Sequence, residues 1–199
     1  EAFEELGFPH HVICGMKSYN GVAILSRLPL SDGDQRDWCG RSDCRHVHAT
    51  LPDGTVLHNF YIPAGGDIPD PAKNDKFAHK LQFLAELTAW GKKLAKSKSQ
   101  QIMVGDLNIA PLESDVWSHK QLLKEVSHTP VEVDALLAVM ASGKWVDAVR
   151  QFFPQEEKLY SWWSYRARDW AAADRGRRLD HIWVTPGLVD RLQDAEVIR

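Results

Sequence analysis

The chain has 199 residues, of which 44% are hydrophobic and 26% are charged, and its formal net charge is −3. These values are those of an ordinary globular protein, and the length predicts one domain, residues 1–199. No apolar run approaches the roughly 18 residues of a membrane span, so we expect no membrane partner. The opening residues lack the basic and apolar regions of a signal peptide.

Three cysteines, Cys14, Cys39 and Cys44, are too few for a disulfide framework. They suit a reducing compartment, so we expect a cytoplasmic protein, although a chain that does not start at Met could have lost a targeting signal. Cys39, Cys44, His46 and His48 also offer zinc-ligand chemistry, but their spacing fits structural zinc sites poorly. Alternation along a strand accounts for Cys44, His46 and His48 without a metal and is the favoured interpretation.

The negative net charge argues against indiscriminate binding to nucleic acid, yet one local basic strip exists. Residues 166–178 hold five arginines against two aspartates: Arg166, Arg168, Arg175, Arg177 and Arg178 against Asp169 and Asp174. A strip of this size suffices to contact phosphates, even in an acidic protein.

The first half of the chain predicts strands joined by turns. Residues 21–25 read as a strand that is apolar throughout and therefore expected to be buried on both faces. Residues 28–43 read as a loop rich in Asp, Gly and Ser. Residues 44–50 and 55–62 form a predicted hairpin around a Pro-Asp-Gly turn at 52–54.

A long amphipathic helix is predicted from about residue 71, because apolar residues from Phe77 to Leu94 recur at three and four. Asp70 is its expected N-cap, with Pro71 at the first helical position. Further helices are predicted at 131–142, 145–152 and 188–192. Further strands are predicted at 101–104, 179–184 and 195–198. Residues 162–174 are predicted to be a loop. Hairpins combined with a strand–helix–strand unit indicate an α/β chain of the α+β type.

The segment around Gly105 carries the clearest functional pattern. A short apolar strand ends there, and Asp106 and Asn108 follow two residues apart, so extended backbone would direct both side chains to one face. A carboxylate and a carboxamide at the carboxyl end of a strand can hold a water or a metal. An Asx turn, in which both side chains bond their own backbone, is the alternative that spacing alone slightly favours.

Six segments, in order, resemble the exonuclease III, or apurinic-endonuclease, family of the deoxyribonuclease-I-like phosphodiesterases. They are Gly21–Ser26, 61–63, 76–77 with Lys80, 105–111, 160–166 and 175–181. The resemblance implies a four-layer sandwich of two mixed β-sheets flanked by helices. It also implies a monomeric DNA-repair enzyme, dependent on Mg²⁺ or Mn²⁺, that cuts 5′ of abasic sites and trims the 3′ ends of duplex DNA.

The resemblance also implies roles for single residues. Asp106 would orient or deprotonate the attacking water, Asn108 would donate to the phosphate, and both are the expected metal site. Tyr61 would contact the developing charge or the leaving group, although a half-buried aromatic at a strand end is the commoner case. Asp180 would hold a catalytic histidine. His181 is not that histidine, because neighbouring strand residues point to opposite faces, and we expect it to be structural.

Substrate contacts are expected on both sides of these residues. Trp162 and Leu179 match the family's wall around a sugar that carries no base, while alternation should send one of Trp162 and Trp163 into the core. The remaining expected contacts with DNA are Lys76, Lys80, Arg177 and Arg178. For the two lysines, one helical turn apart, a solvated helix face is an equally good interpretation.

Two segments of the family have no match between residues 1 and 199. One contains the glutamate that is the principal metal ligand, and the other is the C-terminal Ser-Asp-His. We therefore expect a sandwich that is incomplete at both ends, with gaps in the sheets or exposed apolar edges, and a segment that is inactive by itself. A phosphatase of the same superfamily and a non-catalytic DNA-binding module are the alternative functions.

Overall fold

A computed structural model describes residues 2–164 and 168–198. The strands are β1 His10–Gly15, β2 Gly21–Ser26, β3 Ser31–Gln35, β4 His46–Thr50, β5 Val56–Tyr61, β6 Gln101–Asp106, β7 Val146–Asp147, β8 Trp162–Trp163, β9 Gly176–Arg177 and β10 Asp180–Val184. The α-helices are α1 Ala2–Glu5, α2 Asp75–Leu94, α3 His119–Leu122, α4 Pro130–Gly143 and α5 Trp170–Ala173. Short 3-10 turns occupy Glu113–Asp115, Val149–Gln151 and Pro186–Arg191.

Six strands form the central sheet in the order β3-β4-β5-β6-β10-β7. Strands β5 and β6 are parallel, and the other neighbours are antiparallel. The parallel pair requires a crossover, which α2 supplies. The sheet is therefore mixed, and the predicted α/β fold class is confirmed.

Helices α2 and α4 pack together over one face of this sheet. Phe60, Met103 and Trp183 project from three neighbouring strands into the same buried cluster as Phe83 and Leu136 of the helices. The strands alternate, so their other face carries a different set of side chains. Burial of these large apolar residues fixes the helix layer and leaves the opposite face for the functional groups described below.

The β1–β2 ribbon covers part of that opposite face. Val22 and Ile24 of β2 pack against Val47 and Ala49 of β4. Strand β2 buries alternate residues only, so the expected burial on both faces is wrong. Within the described residues the second sheet of the expected sandwich is this two-stranded antiparallel ribbon rather than a mixed sheet.

Four predicted elements differ in the structure. The expected loop at 162–174 contains β8 and α5. Residues 28–43 contain β3, whose five residues are all exposed and so give no hydrophobic signal. Residues 145–152 form β7 and a 3-10 turn instead of a helix. Residues 195–198, all described, form no strand.

The start of the long helix also lies later than predicted. Helix α2 begins at Asp75, and its N-cap is Asn74, whose Oδ1 accepts a hydrogen bond from the Lys76 amide at 3.0 Å. Asp70 instead accepts from the Ala72 amide within a preceding turn at 3.0 Å. Both residues are good capping types, so the sequence offers two starts. At the later one, Asn74 Nδ2 also donates to the carbonyls of Gly65 and Ile68.

Two of the three cysteines are bonded. Cys14 of β1 and Cys44, just before β4, form a disulfide with their Cα atoms 5.2 Å apart, which links the ribbon to the central sheet. The expectation that the cysteines stay reduced is therefore wrong in this structure, and the cytoplasmic location stays a prediction. Cys39 is free, and burial together with the Glu86 carboxylate raises its pKa to about 12. Across the described residues, no helix is both long and apolar enough to cross a bilayer.

Candidate active site

Three of the predicted catalytic residues form one row across neighbouring strands. Tyr61 of β5 pairs in register with Asp106 of β6, and Asp106 pairs with Asp180 of β10. Phe60, next to Tyr61, points into the helix-covered core, so Tyr61 faces the other side of the sheet. Tyr61 and Asp106 line a cleft of about 740 Å³, which we call the main cleft.

Gly105 lets β5 and β6 approach closely just before this row. Its φ is +128°, and a Cβ atom there would lie 2.0 Å from the carbonyl oxygen of Phe60, so only glycine fits. Asp106 Oδ1 then accepts a hydrogen bond from the Asn108 amide at 2.9 Å. The Asx turn that spacing favoured is therefore present, and it coexists with a carboxylate that faces the cleft.

Asn108 lies deeper than the sequence predicts. Its φ is +54°, so the expected extended backbone with a shared face is wrong. The side chain is buried at the edge of the main cleft, and its Nδ2 donates to the Ile62 carbonyl at 2.9 Å. Donation from Asn108 to a phosphate stays a prediction, since one of its two amide hydrogens is already used.

The charge of one carboxylate in the row affects the pKa of the other. Burial, and then the negative charge of Asp180, raise the pKa of Asp106 to about 6, while hydrogen bonding from Asn108 opposes the shift. Asp180 is exposed, and its Oδ2 accepts from the Ser161 hydroxyl at 2.7 Å. Adjacent oxygen donors of like charge are the set that a hard divalent cation binds.

Ser161 and Arg45 are supporting residues that the sequence analysis missed. The Ser161 oxygen also accepts from the amides of Leu179 and Asp180, both at 3.0 Å, and so fixes the start of β10. The Arg45 guanidinium lies 5.1 Å from the centre of the Tyr61 ring and donates to the Tyr61 carbonyl at 3.2 Å. Neither contact follows from spacing, because each joins segments far apart in the chain.

The two residues of the expected apolar wall lie at one cavity, and their contact with a sugar stays a prediction. Trp162 is 38% exposed and Leu179 is buried, and both line the main cleft. Trp163 is buried and donates from Nε1 to Asp174 at 2.9 Å, so one tryptophan of the pair points inward as predicted. Arg177 places its guanidinium 5.9 Å from the Trp162 ring and also lines the cleft.

Two expected DNA contacts are buried and already paired, so these predictions are wrong. Lys80 is 0% exposed, and its Nζ donates to Glu132 at 2.5 Å and to the Asn108 carbonyl at 2.8 Å. Arg178 is 2% exposed and binds Asp115 at 2.8 Å. Lys80 therefore stabilises the Asn108 turn from its buried side. A lysine one helical turn away can still be exposed.

The remaining basic residues are on the surface. Lys76 is exposed and lines a cavity next to Tyr61. Arg168 and Arg175 are exposed, and Arg177 is half-buried. Arg166, together with the end of the 160–166 segment, lies outside the described residues.

The alternative zinc set is not assembled. Cys44 is in the disulfide, and the nitrogens within 4.8 Å of one another belong to His46, His48 and His58. Trp38 Nε1 donates to His46 Nδ1 at 3.2 Å, and the other His46 nitrogen lies 3.0 Å from His58 Nδ1. Hydrogen bonds hold the rings of His46 and His58 without a metal, whereas the buried Nδ1 of His48 has no hydrogen-bond partner among the described residues. Burial lowers the pKa of His46 to about 2 and that of His58 to about 4.

His181 is structural, as predicted. It is buried on the helix-covered face, and its Nε2 lies 2.9 Å from the Ile109 carbonyl oxygen. Its neighbour Asp180 faces the opposite side of β10, so alternation separates the two roles.

The chain belongs to the endonuclease/exonuclease/phosphatase family, whose model matches residues 2–195. It is similar to the exodeoxyribonuclease III of Haemophilus influenzae, with 28% identity over 99% of this chain and 76% of the relative. It is 31% identical to an exodeoxyribonuclease of Bacillus subtilis over 62% of this chain, and spans about half, 48%, of that relative's length.

The fold is shared with solved structures of the same kind. A 3′-5′ exonuclease (NExo) from Neisseria meningitidis superposes with a TM-score of 0.86 and 30% identity, over 97% of this chain and 73% of that one. The predicted family and the deoxyribonuclease-I-like fold are thereby confirmed. The family depends on divalent metal ions.

Proposed function

We propose that the protein is a DNA-repair phosphodiesterase of the exonuclease III type, which cuts 5′ of abasic sites and trims 3′ ends of duplex DNA. One observation carries the proposal: Tyr61, Asp106 and Asp180 stand in register across three strands. Trp162 and Leu179 line the same cleft as two of them. The similarity to exodeoxyribonucleases supports it.

Asp106 has the properties of a group that accepts a proton from water. With a pKa of about 6, it is mostly ionised at neutral pH and still basic enough to accept a proton. The bond from the Asn108 amide fixes one oxygen and leaves the second for the water. The Tyr61 hydroxyl, across the row, is a donor for a phosphate oxygen.

A divalent cation fits the oxygen donors of this site. The Asp106 carboxylate and the side-chain oxygen of Asn108 would hold it. A cation is favoured there because the Asp106 and Asp180 carboxylates repel each other. We propose Mg²⁺ or Mn²⁺, both of which prefer oxygen ligands. When bound, the ion would offset the negative charge that builds on the phosphate.

The shape of the cleft supports an abasic substrate. Trp162 and Leu179 present an apolar wall, against which a deoxyribose without a base fits. Extruding such a nucleotide costs little, because it pairs with nothing. Arg177 and Lys76 would contact the phosphates on either side, and we propose that the protein acts as a monomer.

The test is cleavage of a duplex that carries one tetrahydrofuran residue, which lacks a base, beside the same duplex intact. The protein is the longest natural chain that contains residues 1–199, assayed with Mg²⁺, with Mn²⁺ and with EDTA. We expect one metal-dependent cut 5′ of the tetrahydrofuran. Hydrolysis of lipid or inositol phosphates without any cut in DNA would favour the phosphatase alternative instead. Binding of the duplex without cleavage under every condition would favour a DNA-binding module.

A further inference from the structure

Ser161 lies next to Asp180, and its hydroxyl makes three hydrogen bonds. The oxygen accepts from the amides of Leu179 and Asp180, both at 3.0 Å, and the hydroxyl donates to Asp180 Oδ2 at 2.7 Å. A serine hydroxyl has one hydrogen to donate and two lone pairs that accept. The Ser161 hydroxyl therefore has no hydrogen-bonding capacity left for a substrate.

The two amide bonds also determine where the Ser161 hydroxyl points. Because backbone N–H groups at the start of β10 occupy both lone pairs, the hydrogen is left to face the Asp180 carboxylate. The Ser161 amide in turn donates to the Arg177 carbonyl at 3.0 Å. Backbone contacts thus hold both the main chain and the side chain of Ser161, and the hydroxyl has one orientation.

Asp180 gains a fixed orientation from this bond although it is exposed. An exposed aspartate without a partner exchanges among several side-chain conformations. The bond from Ser161 fixes Oδ2, and Asp180 pairs in register with Asp106 on the neighbouring strand. A carboxylate with a fixed orientation keeps its charge beside Asp106 and can orient a further group, whereas a rotating carboxylate cannot.

Ser161 itself does not line the space that a substrate would occupy. The described residues around the main cleft include Trp162 and Leu179 but not Ser161. Any effect of Ser161 on a reaction in this cleft must therefore pass through a neighbouring residue. The side chain that its hydroxyl binds is that of Asp180, so Asp180 is the residue through which we expect Ser161 to act.

We propose that Ser161 is a positioning residue for the cleavage reaction, because it holds the Asp180 carboxylate in the orientation that the reaction needs. This inference rests on the proposed function and deepens it. Loss of a hydrogen-bond partner that orients a site residue typically costs about 10- to 100-fold in activity. The cost should fall on the rate and not on DNA binding, since Ser161 does not contact the cleft.

The experiment uses the longest natural chain that contains residues 1–199 and the duplex with one tetrahydrofuran residue. Ser161→Ala should lower the single-turnover cleavage rate about 10- to 100-fold and change the dissociation constant, measured in EDTA, less than about twofold. Ser161→Thr keeps the hydroxyl and should restore most of the rate. Ser142→Ala is the matched control, because it removes a half-buried hydroxyl bonded to the Val139 carbonyl at 2.8 Å, and it should leave the rate unchanged.

A double variant separates the orientation of Asp180 from general support of the fold. In an Asp180→Ala background there is no carboxylate to orient, so the addition of Ser161→Ala should cost less than about threefold more. The same loss in both backgrounds would overturn the proposal, and so would a Ser161→Thr variant no faster than Ser161→Ala. Thermal unfolding of each variant confirms that the comparison is between folded proteins.

A second readout does not depend on cleavage. In metal-free protein, hydrogen exchange at the amides of Leu179 and Asp180, followed by NMR, should be faster in Ser161→Ala than in the unmodified chain. Unchanged exchange would show that the hydroxyl does not hold this segment, which overturns the inference and leaves the proposed function standing. If the unmodified protein does not cut the duplex, the proposed function fails, and the role of Ser161 in cleavage fails with it.

Discussion

Charged residues cluster in the interior and in the main cleft, and the two clusters differ in net charge. In the interior, Lys80 pairs with Glu132, and Arg178 pairs with Asp115. In the main cleft, Asp106 instead stands beside another carboxylate on the neighbouring strand. The interior pairs are neutral overall, whereas the cleft concentrates negative charge.

The difference separates structural charges from reactive ones. A buried carboxylate with a cation and several N–H donors is fully satisfied, and Glu132 also accepts from Ser127 and Thr129. Such a group has no capacity left for a substrate. Asp106 is only partly satisfied, its pKa is raised, and a cation or a proton would relieve it. We therefore expect the reactive part of the sheet to be the part where the charges are not balanced.

The largest expected effect comes from breaking an interior pair. Lys80→Met should lower the free energy of unfolding by about 3–5 kcal/mol, because it leaves the Glu132 carboxylate buried without its cation. The measurement is urea denaturation at neutral pH, followed by circular dichroism.

The matched control for this prediction is Lys76→Met, one helical turn away and exposed. It should change stability by less than about 0.5 kcal/mol. Equal effects of the two substitutions would show that the pair with Glu132 contributes nothing specific.

The second prediction concerns the main cleft, where the negative charges are not balanced. In the longest natural chain that contains residues 1–199, Asp106→Asn should lower the cleavage rate on the order of 10² or more with little change in substrate affinity, because the amide cannot accept a proton from water. Single-turnover kinetics and equilibrium binding give the two quantities. Asp194→Asn, on the exposed C-terminal segment, is the control.

Asp106→Asn should also raise the free energy of unfolding, whereas Lys80→Met should lower it. The folded-state pKa of Asp106 lies above its ordinary value of 3.8, so folding favours the neutral form. The stability that neutral Asp106 contributes is present at low pH and is lost as the pH rises through about 6. At pH 7 the uncharged amide of the Asp106→Asn variant avoids the penalty, and a variant less stable than the unmodified protein would contradict this assignment.

The third prediction concerns acid. The folded-state pKa values of His46 and His58, about 2 and about 4, lie below the ordinary value of 6.5. The unfolded chain therefore binds more protons, and the stability that these residues contribute is present above pH 6.5 and is lost as the pH falls. The slope is about 1.4 kcal/mol per pH unit for each histidine. Urea midpoints between pH 7 and pH 4.5 measure it.

His11→Gln, at an exposed position of β1, should leave that slope unchanged. His58→Gln should reduce it, since one of the two titrating rings is gone. A slope that is the same in all three proteins would mean that other groups set the acid sensitivity.

The sequence predicted the fold class, helix α2 and five of the ten described strands, β2, β4, β5, β6 and β10, because alternation and the apolar stripe of α2 are local signals. It could not tell which cations are buried. Lys76 and Lys80 look alike in a helix, and Arg177 and Arg178 are adjacent, yet one member of each pair is inside. The difference depends on partners such as Glu132, which is 52 residues from Lys80.

Sequence spacing was also unable to place the site residues relative to one another. Tyr61, Asp106 and Asp180 lie far apart in the chain, and only the register of β5, β6 and β10 aligns them. Spacing could predict the turn between Asp106 and Asn108, but not that Gly105 packs against Phe60 inside β6 or that Asn108 has a positive φ. The resemblance to a family assigned these three residues to one site, because motifs hold information about long-range contacts that periodicity lacks.

The smallest expected effects distinguish recognition of the backbone from recognition of the abasic sugar. Arg177 carries a charge at the main cleft, so Arg177→Ala should weaken binding of every duplex alike and reduce the salt slope by about 1. Trp162 carries no charge, so Trp162→Ala should weaken binding of the abasic duplex more than that of the intact one and leave the salt slope unchanged. Arg191→Ala, whose side chain pairs with Asp53, is the control for loss of a surface arginine. Binding isotherms at several salt concentrations give all these values. If Trp162→Ala lowers the unfolding free energy and leaves the abasic preference intact, Trp162 is a packing residue, and the wall of the cleft must be assigned to Leu179 and its neighbours.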